Sequence, residues 1–266
     1  MTPLSSKRLF LFDIDGTIAV GDTLYPGTRD LLDYIRSVGG AAYYITNNST
    51  RSNGDYVKKF REVFDLETNE SQFVTSGYMT LRHLQEHHSG EKIYVLGTAS
   101  YIAELRKNGL HVTEEAQEDA ACAVVAYDSE LTYEKLVKAC RLLSLTDIPF
   151  YGTNPDLCCP IDFGFIPDCG SICQMITAST GKAPRYLGKP NPQVVALCQA
   201  DSGYTAEQTL VVGDRLYTDI ACGLNAGVDT CVLYTGEATP EEVARTQYKP
   251  AYAFADVQKL LEACRG

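Results

Sequence analysis

Two aspartates stand two residues apart at the point where an apolar run of the sequence stops. Asp13 and Asp15 follow the run 8–12 and precede Gly16 and Thr17. Because Gly16 permits the backbone to turn, both carboxylates can border one pocket. Clustered carboxylates repel one another, and they persist together when a hard cation such as Mg²⁺ takes oxygen ligands from them or when one holds a proton. The pair could therefore bind a metal ion, transfer a proton, or simply form a turn, since Asp and Gly are common turn residues.

A second pair of aspartates follows another apolar run, late in the chain. Asp214 comes directly after the run, and Asp219 lies five residues further on. Taken alone, Asp214 could be a turn residue and Asp219 the N-cap of a helix. In combination with the first pair of aspartates, a cation site becomes the favoured interpretation.

A hydroxyl and several backbone N–H groups follow a third apolar run. Thr46 and Asn47 come directly after the run 41–45, and groups of this kind suit phosphate oxygens. An equally good interpretation is that Ser49 or Ser52 caps a following helix. The segment alone does not separate phosphate binding from helix capping.

Lys189 stands in rigid surroundings, between Gly188 and Pro190, with Pro192 shortly after. Prolines are favoured at the start of a helix, so the lysine is expected just ahead of one. A lysine is usually a surface residue. Its fixed surroundings favour a cation that the fold places deliberately.

These residues sit at the ends of elements that alternate along the chain. Buried strands are predicted at 8–12, 41–45, 209–212 and 230–234, with helices between them. Such alternation predicts a Rossmann-like, doubly wound α/β fold around a parallel sheet, whose ligands bind beyond the carboxyl ends of the strands. The polar clusters all lie at such ends.

The middle of the chain has an alternation of its own. Strands are predicted at 92–96 and 123–127, and helices at 101–107 and 133–145. We therefore predict a core made of residues 1–81 and 184–266, with an inserted, smaller α/β domain at 82–183. The stretch 151–156 is predicted to lead into a long loop through Pro160, Gly164, Pro167 and Gly170, and loops of that length are often functional.

Composition limits the possible partners. The 266 residues include 34 acidic and 23 basic side chains, for a net charge of −11, which would repel nucleic acid and anionic lipid. An anionic substrate would then need local positive charge from a metal ion or a lysine. The sequence has no apolar run of about 18 residues, as a membrane span requires. Its ten cysteines lack a disulfide framework, and no signal peptide is evident, so a cytoplasmic protein with reduced thiols is expected.

Four segments, in this order and with this insertion, closely resemble the haloacid dehalogenase (HAD) superfamily, subfamily IIA, the NagD-like or 4-nitrophenylphosphatase-like group. The resemblance covers essentially the whole chain. It is carried by the segments Asp13-Ile14-Asp15-Gly16-Thr17, Thr46-Asn47-Asn48-Ser49, Gly188-Lys189-Pro190 and Gly213-Asp214-Arg215-Leu216-Tyr217-Thr218-Asp219.

The resemblance implies a Mg²⁺-dependent phosphatase acting on a small phosphorylated metabolite. Asp13 would be the nucleophile that becomes an aspartyl-phosphate, and Asp15 the general acid and base. The resemblance also implies further contacts. The metal would bind the Asp13 and Asp214 carboxylates and the Asp15 backbone carbonyl, Asp219 would orient metal waters or Lys189, and phosphate would contact Thr46, Asn47 and Lys189. An acid at position 15 distinguishes phosphohydrolases from dehalogenases and ion-pumping ATPases of the superfamily.

The resemblance further implies that residues 82–183 are a C2-type cap that closes over the pocket. Asn154, Asp156 and the segment 161–171 would face the substrate, although Asn154 and Asp156 could instead form an Asx-turn around Pro155. Two other functions remain open: phosphoryl transfer to another acceptor, as in mutases, and non-catalytic sensing of a phosphometabolite. A homodimer is compatible with this group.

Overall fold

The computed structural model describes residues 2–49, 51–161 and 163–266, which form two compact units. The core unit comprises Met1–Thr46, Asn53–Val74 and Lys189–Gly266, and the inserted unit comprises Asn47–Ser52 and Thr75–Gly188. The units divide after residues 74 and 188, whereas the predicted boundaries follow residues 81 and 183. The first predicted boundary falls inside the helix Ser76–His87, which Thr75 caps by accepting a hydrogen bond from the backbone N–H of Tyr78.

The core unit is built on a six-stranded sheet with the strand Leu9–Phe12 near its centre. This strand pairs in parallel with Thr209–Gly213 on one side and Ala41–Thr46 on the other. In spatial order the strands are Tyr252–Phe254, Asp229–Leu233, Thr209–Gly213, Leu9–Phe12, Ala41–Thr46 and Phe73–Thr75. All four predicted core strands are therefore present, each within one residue of its predicted bounds, and the predicted α/β fold with a parallel sheet is confirmed.

Helices cover the core sheet, and its central strand is buried on both faces, as its uninterrupted apolar sequence indicates. Phe10 and Phe12 belong to one large cluster of buried side chains, in which the rings of Tyr44, Phe60 and Phe73 also contact one another. The α-helices of this unit are Thr28–Ser37, Asn53–Glu62, Gln193–Ser202, Ala221–Asn225, Pro240–Arg245 and Val257–Arg265. A π-helical turn, Leu216–Ile220, precedes Ala221–Asn225, and two short 3₁₀ turns, Leu4–Ser6 and Glu70–Gln72, and a small hairpin, Ala19–Val20 with Thr23–Leu24, complete the unit.

The inserted unit has a five-stranded sheet of its own. Its strands, in spatial order and all paired in parallel, are Arg185–Tyr186, Phe150–Gly152, Cys122–Val125, Lys92–Leu96 and His111–Thr113. Its helices are Ser76–His87, Ala99–Lys107, Tyr133–Leu145 and Cys169–Thr180. The predicted strands and helices of this region are present, so the inserted part is itself an α/β unit.

The prediction of a long loop through Pro160, Gly164, Pro167 and Gly170 is wrong for most of that segment. An antiparallel pair, Cys158–Ile161 with Gly164–Pro167, occupies it, and a helix begins at Cys169. Prolines in a sequence argue against central strands, but a separate two-stranded ribbon tolerates them. Asp162 lies outside the described residues. No helix in the described ranges is long and apolar enough to cross a membrane.

Candidate active site

Three aspartate side chains meet at the carboxyl edge of the core sheet. Asp13 follows the strand Leu9–Phe12, and Asp214 follows its neighbour Thr209–Gly213. One carboxylate oxygen from each of Asp13, Asp214 and Asp219 lies within 4.8 Å of the other two, and all three side chains are buried. Adjacent parallel strands end at the same edge of a sheet, which is why Asp13 and Asp214, 201 positions apart in sequence, converge here.

Lys189 is buried among these carboxylates. Its Nζ donates to Oδ1 of Asp13 and Oδ1 of Asp219, both at 2.6 Å, and to the backbone oxygen of Ile45 at 3.0 Å. The alternative of a surface lysine is wrong, since only 3% of Lys189 is exposed. The helix predicted to follow it begins at Gln193. The core sheet thus surrounds the ammonium group with oxygen acceptors from three separate segments.

Both oxygens of the Asp214 carboxylate already accept hydrogen bonds. Oδ1 accepts from the Thr17 hydroxyl at 3.0 Å, and Oδ2 accepts from the backbone N–H of Glu237 at 2.9 Å. Gly16 lies against this carboxylate with φ of 92°, and a Cβ there would stand 2.6 Å from Oδ2. These contacts fix the direction in which the remaining lone pairs of Asp214 point.

Asp219 lies inside the turn Leu216–Ile220, so the alternative that it is a helix N-cap is wrong. Its Oδ2 accepts from the backbone N–H of Arg215 at 3.0 Å, while its Oδ1 accepts from Lys189. The carboxylate therefore bridges the start of this turn and the buried ammonium group, and it is only 1% exposed.

Burial raises the pKa of all three carboxyl groups. The pKa of Asp13 rises to about 6 because of burial, against the lowering effect of Lys189 and with a further increase from Asp214. Burial also raises the pKa of Asp214 to about 6, reinforced by Asp219, and that of Asp219 to about 6, opposed by Lys189. Burial alone would lower the pKa of Lys189, but Asp13 and Asp219 raise it above its ordinary value. The ammonium thus remains charged, and the cluster has negative charge that Lys189 does not balance.

Asp15 and Thr46 lie on the segments that border this cluster. Asp15 is half-buried, and its backbone forms a bridge with Ala19 just after the turn at Gly16. The three-carboxylate cluster does not include the Asp15 side chain. Thr46 is the last residue of its strand, follows the carbonyl that accepts from Lys189, and is 5% exposed.

The predicted substrate-facing residues of the inserted unit form a buried polar network. Asp156 Oδ2 accepts from the side-chain amides of Asn47 at 2.6 Å and Asn154 at 3.0 Å, and Asn154 also donates to Asp168 at 3.1 Å. Asn154 is fully buried, and Asp156 is 1% exposed. Asp168 in turn caps the helix Cys169–Thr180 by accepting from the Cys169 N–H. Contact of Asn47, Asn154 or Asp156 with a substrate stays a prediction.

Sequence reasoning gave no role to Thr17, Arg215 or Glu237, although all three adjoin the cluster. For Glu237, its position in the sequence could have indicated a place near the site. Glu237 follows the strand Asp229–Leu233, so the rule that strand ends share one edge of a sheet also applies to it. The contact itself was not readable from sequence, because it is made by a backbone N–H and carries no side-chain signature.

Comparison with known proteins gives the same family in both parts of the core. A family model described as haloacid dehalogenase-like hydrolase matches residues 10–111, and a HAD-hydrolase-like model matches residues 186–260. The chain belongs to the haloacid dehalogenase-like hydrolases. It is 32% identical to an acid sugar phosphatase of Staphylococcus aureus over 258 residues, which cover 97% of this chain and 98% of the relative.

Solved structures place this HAD-like chain in the NagD-like group. The 4-nitrophenylphosphatase of Thermotoga maritima has 37% sequence identity and a TM-score of 0.91, with 98% of both chains covered. A NagD protein has 36% identity and a TM-score of 0.87, with 97% of this chain and 98% of the other covered. This HAD-like chain is therefore a phosphatase of the NagD-like group, and its buried aspartate cluster fits the divalent metal ion that HAD phosphatases use.

Proposed function

We propose that the chain is a Mg²⁺-dependent phosphatase that hydrolyses small phosphate monoesters through an aspartyl-phosphate on Asp13. The observation that carries this proposal is the environment of Asp13. Its carboxylate is buried, lies 2.6 Å from Lys189, and has an oxygen within 4.8 Å of oxygens from Asp214 and Asp219. A nucleophile placed beside a fixed cation and a set of metal-ligating oxygens suits attack on an anionic phosphorus centre.

The donor set fits Mg²⁺. The cluster offers only hard carboxylate oxygens, and Mg²⁺ prefers oxygen ligands. When ionised, the three carboxylates carry three negative charges against one positive charge on Lys189. Asp13, Asp214 and the backbone carbonyl of Asp15 would hold the ion. A bound Mg²⁺ would neutralise charge on the phosphoryl oxygens.

Asp13 acts as the nucleophile, and Asp15 transfers the protons. In the first step an Asp13 carboxylate oxygen bonds to phosphorus as the ester oxygen leaves, and Asp15 gives that oxygen its proton. In the second step Asp15 takes a proton from water, whose oxygen attacks the same phosphorus. The Asp13–phosphorus bond breaks, inorganic phosphate is released, and both side chains return to their initial states.

The remaining residues of the site position the phosphoryl group. Lys189 and the Thr46 hydroxyl would bind phosphoryl oxygens, and Asn47 would contribute phosphate or substrate contacts from the following segment. Asp219 would orient Lys189, since its Oδ1 lies 2.6 Å from Nζ. Positioning of this kind contributes much of the rate enhancement in phosphoryl transfer.

The substrate is proposed to be a small monoester, such as a sugar phosphate, a nucleoside monophosphate or an aryl phosphate. Relatives that cover nearly the whole chain are an acid sugar phosphatase and a 4-nitrophenylphosphatase, which supports this range. The inserted unit would act as a cap, with Asn154 and Asp156 supporting or contacting the part of the substrate that leaves.

Release of phosphate from 4-nitrophenyl phosphate and from a panel of small esters tests the proposal. We expect turnover with Mg²⁺, loss of turnover in EDTA, and a loss of at least about 10³-fold in Asp13→Asn, which removes the nucleophile. Asp33→Asn is the matched control, because the Asp33 side chain is 70% exposed. Full activity in Asp13→Asn would overturn the mechanism, and turnover that persists in EDTA would overturn the metal requirement.

A further inference from the structure

A short loop after the strand Asp229–Leu233 contacts the Asp214 carboxylate at the carboxyl edge of the core sheet. This loop, residues 235–237, places the Glu237 backbone N–H 2.9 Å from Asp214 Oδ2. Gly236 allows this approach, since a Cβ at that position would stand 2.0 Å from the same oxygen. The next residue, Ala238, donates its N–H to the Asp214 backbone oxygen at 2.9 Å. The loop therefore holds both the side chain and the backbone of Asp214.

The same loop is fastened to the segment that carries Asp13 and Asp15. The Thr235 hydroxyl donates to the backbone oxygen of Gly16 at 2.7 Å, and the Thr235 carbonyl accepts from the Tyr25 hydroxyl at 3.0 Å. Two strand ends of the core sheet are thus joined through the 235–237 loop. Displacement of the loop would change the relative placement of the Asp13 and Asp214 carboxylates.

Arg215 and Glu237 form an ion pair at the end of the 235–237 loop. Arg215 Nε lies 3.0 Å from Glu237 Oε2, and the two side chains are 17% and 42% exposed. The backbone N–H of Arg215 meanwhile donates to Asp219. Arg215 therefore contacts Asp219 through its backbone and, through its side chain, the residue whose N–H binds Asp214.

We propose that the Arg215–Glu237 ion pair is a latch that holds the 235–237 loop against Asp214 and thereby sets the affinity of the site for Mg²⁺. This inference rests on the proposed function, and it assigns Arg215 and Glu237 as positioning residues. With the latch closed, Thr17 and the Glu237 N–H each occupy one oxygen of Asp214, so the free lone pairs have a fixed direction. With the latch open, the carboxylate gains rotational freedom that metal binding must remove.

Removing one charge at a time separates a latch from simple electrostatics. If only charge mattered, Glu237→Gln would remove a negative charge and weaken Mg²⁺ binding, whereas Arg215→Gln would remove a positive charge and strengthen it. A latch predicts weaker binding in both variants, because each breaks the same contact. It also predicts that the double variant binds about as weakly as either single variant.

Calorimetric titration of Mg²⁺ into EDTA-stripped protein measures this without reference to turnover. We expect the dissociation constant to rise about tenfold in Arg215→Gln and in Glu237→Gln, as for other residues that support metal ligands. Arg215→Lys keeps the charge but loses the directed Nε contact, and it is expected to weaken binding as well. Glu241→Gln removes the same charge from an exposed neighbouring position and should bind like the unmodified chain.

The outcomes distinguish the latch from the proposed function. Tighter binding in Arg215→Gln, or unchanged binding in both single variants, overturns the latch alone. If the unmodified chain binds no Mg²⁺, or if Asp214→Asn binds it equally well, the metal site and the latch are both overturned. Thermal unfolding of each variant in EDTA checks folding. A variant that does not unfold cooperatively is replaced by Glu237→Asp, which is expected to weaken binding because its carboxylate is one methylene too short to reach Arg215.

Discussion

At the scale of single residues, Lys189 shows how one buried side chain holds the site together before any ligand binds. Its ammonium group is surrounded by Asp13, Asp219 and the Ile45 carbonyl. Removing one partner of a buried ion pair leaves an uncompensated charge, which costs far more than the intact pair contributes. The residue at this position therefore affects the stability of the folded protein.

We predict that Lys189→Met lowers the free energy of unfolding in EDTA at pH 8 by about 3 kcal/mol, because Asp13 and Asp219 lose their buried counter-charge. Denaturant titration measures this directly. Lys259→Met is the control, since the Lys259 side chain is 57% exposed and its replacement should leave the free energy of unfolding nearly unchanged. An unchanged free energy of unfolding in Lys189→Met would show that the ammonium group does not stabilise the carboxylate cluster.

The sequence predicted several residues of the site but not the contacts that hold them in place. Asp13 and Asp214 could be chosen because carboxylates carry chemistry and each follows a predicted strand. Lys189 could be chosen because a glycine and two prolines fix it ahead of a predicted helix. The support for Asp214 could not, because it comes from a backbone N–H at Glu237 and from the space left by Gly236. Contacts made by a backbone group leave almost no trace in residue type.

At the scale of elements, the core strands were predictable because each is buried on both faces. A continuous apolar run that ends at a polar residue marks both the strand and the edge where ligands bind. The helix Ser76–His87 crosses the predicted domain boundary, and the pair Cys158–Ile161 with Gly164–Pro167 occupies a predicted loop. The two strands of this ribbon are neighbours in the chain and pair with each other, and Pro160 and Pro167 hide the strand pattern in their sequence.

The segment after the strand Phe150–Gly152 depends on a network that only three-dimensional contact reveals. Asn154 is its centre, because its side-chain amide donates to both Asp156 and Asp168. Both acceptors are buried, so each donor of Asn154 satisfies a carboxylate that water does not reach freely. The network joins the end of one strand to the N-terminus of the helix Cys169–Thr180.

We predict that Asn154→Asp lowers the free energy of unfolding at pH 8 by about 3 kcal/mol. The substitution keeps the size of the side chain but replaces two hydrogen-bond donations with a third buried carboxylate beside Asp156 and Asp168. Asn69→Asp serves as the control in the same denaturant titrations, because Asn69 is exposed and its side-chain oxygen accepts from Ser71, as an aspartate oxygen also can. Equal stability of Asn154→Asp and the unmodified chain would mean that the network contributes little.

At the scale of the whole molecule, the three buried carboxylates connect stability to pH. The ordinary pKa of an aspartate is 3.8, and burial raises the values of Asp13, Asp214 and Asp219 to about 6. A carboxyl group with a raised pKa in the folded state contributes stability that is fully present below pH 4 and is lost as pH rises through about 6. Without metal, the site therefore opposes folding most strongly above pH 6.

Mg²⁺ should reverse that dependence, because the ion binds carboxylates only in their ionised form. We predict that saturating Mg²⁺ raises the free energy of unfolding more at pH 7.5 than at pH 5. At a pH one unit below its pKa, a carboxyl group must release a proton before it binds Mg²⁺. Each such group reduces the increase in the free energy of unfolding that Mg²⁺ causes by about 1.4 kcal/mol. Denaturant titrations with Mg²⁺ and with EDTA at each pH isolate the site, since every other titrating group is common to both samples. In Asp214→Asn the difference between Mg²⁺ and EDTA should nearly disappear at both pH values. An equal Mg²⁺ effect at pH 5 and pH 7.5 in the unmodified chain would mean that the ion binds elsewhere than at these carboxylates.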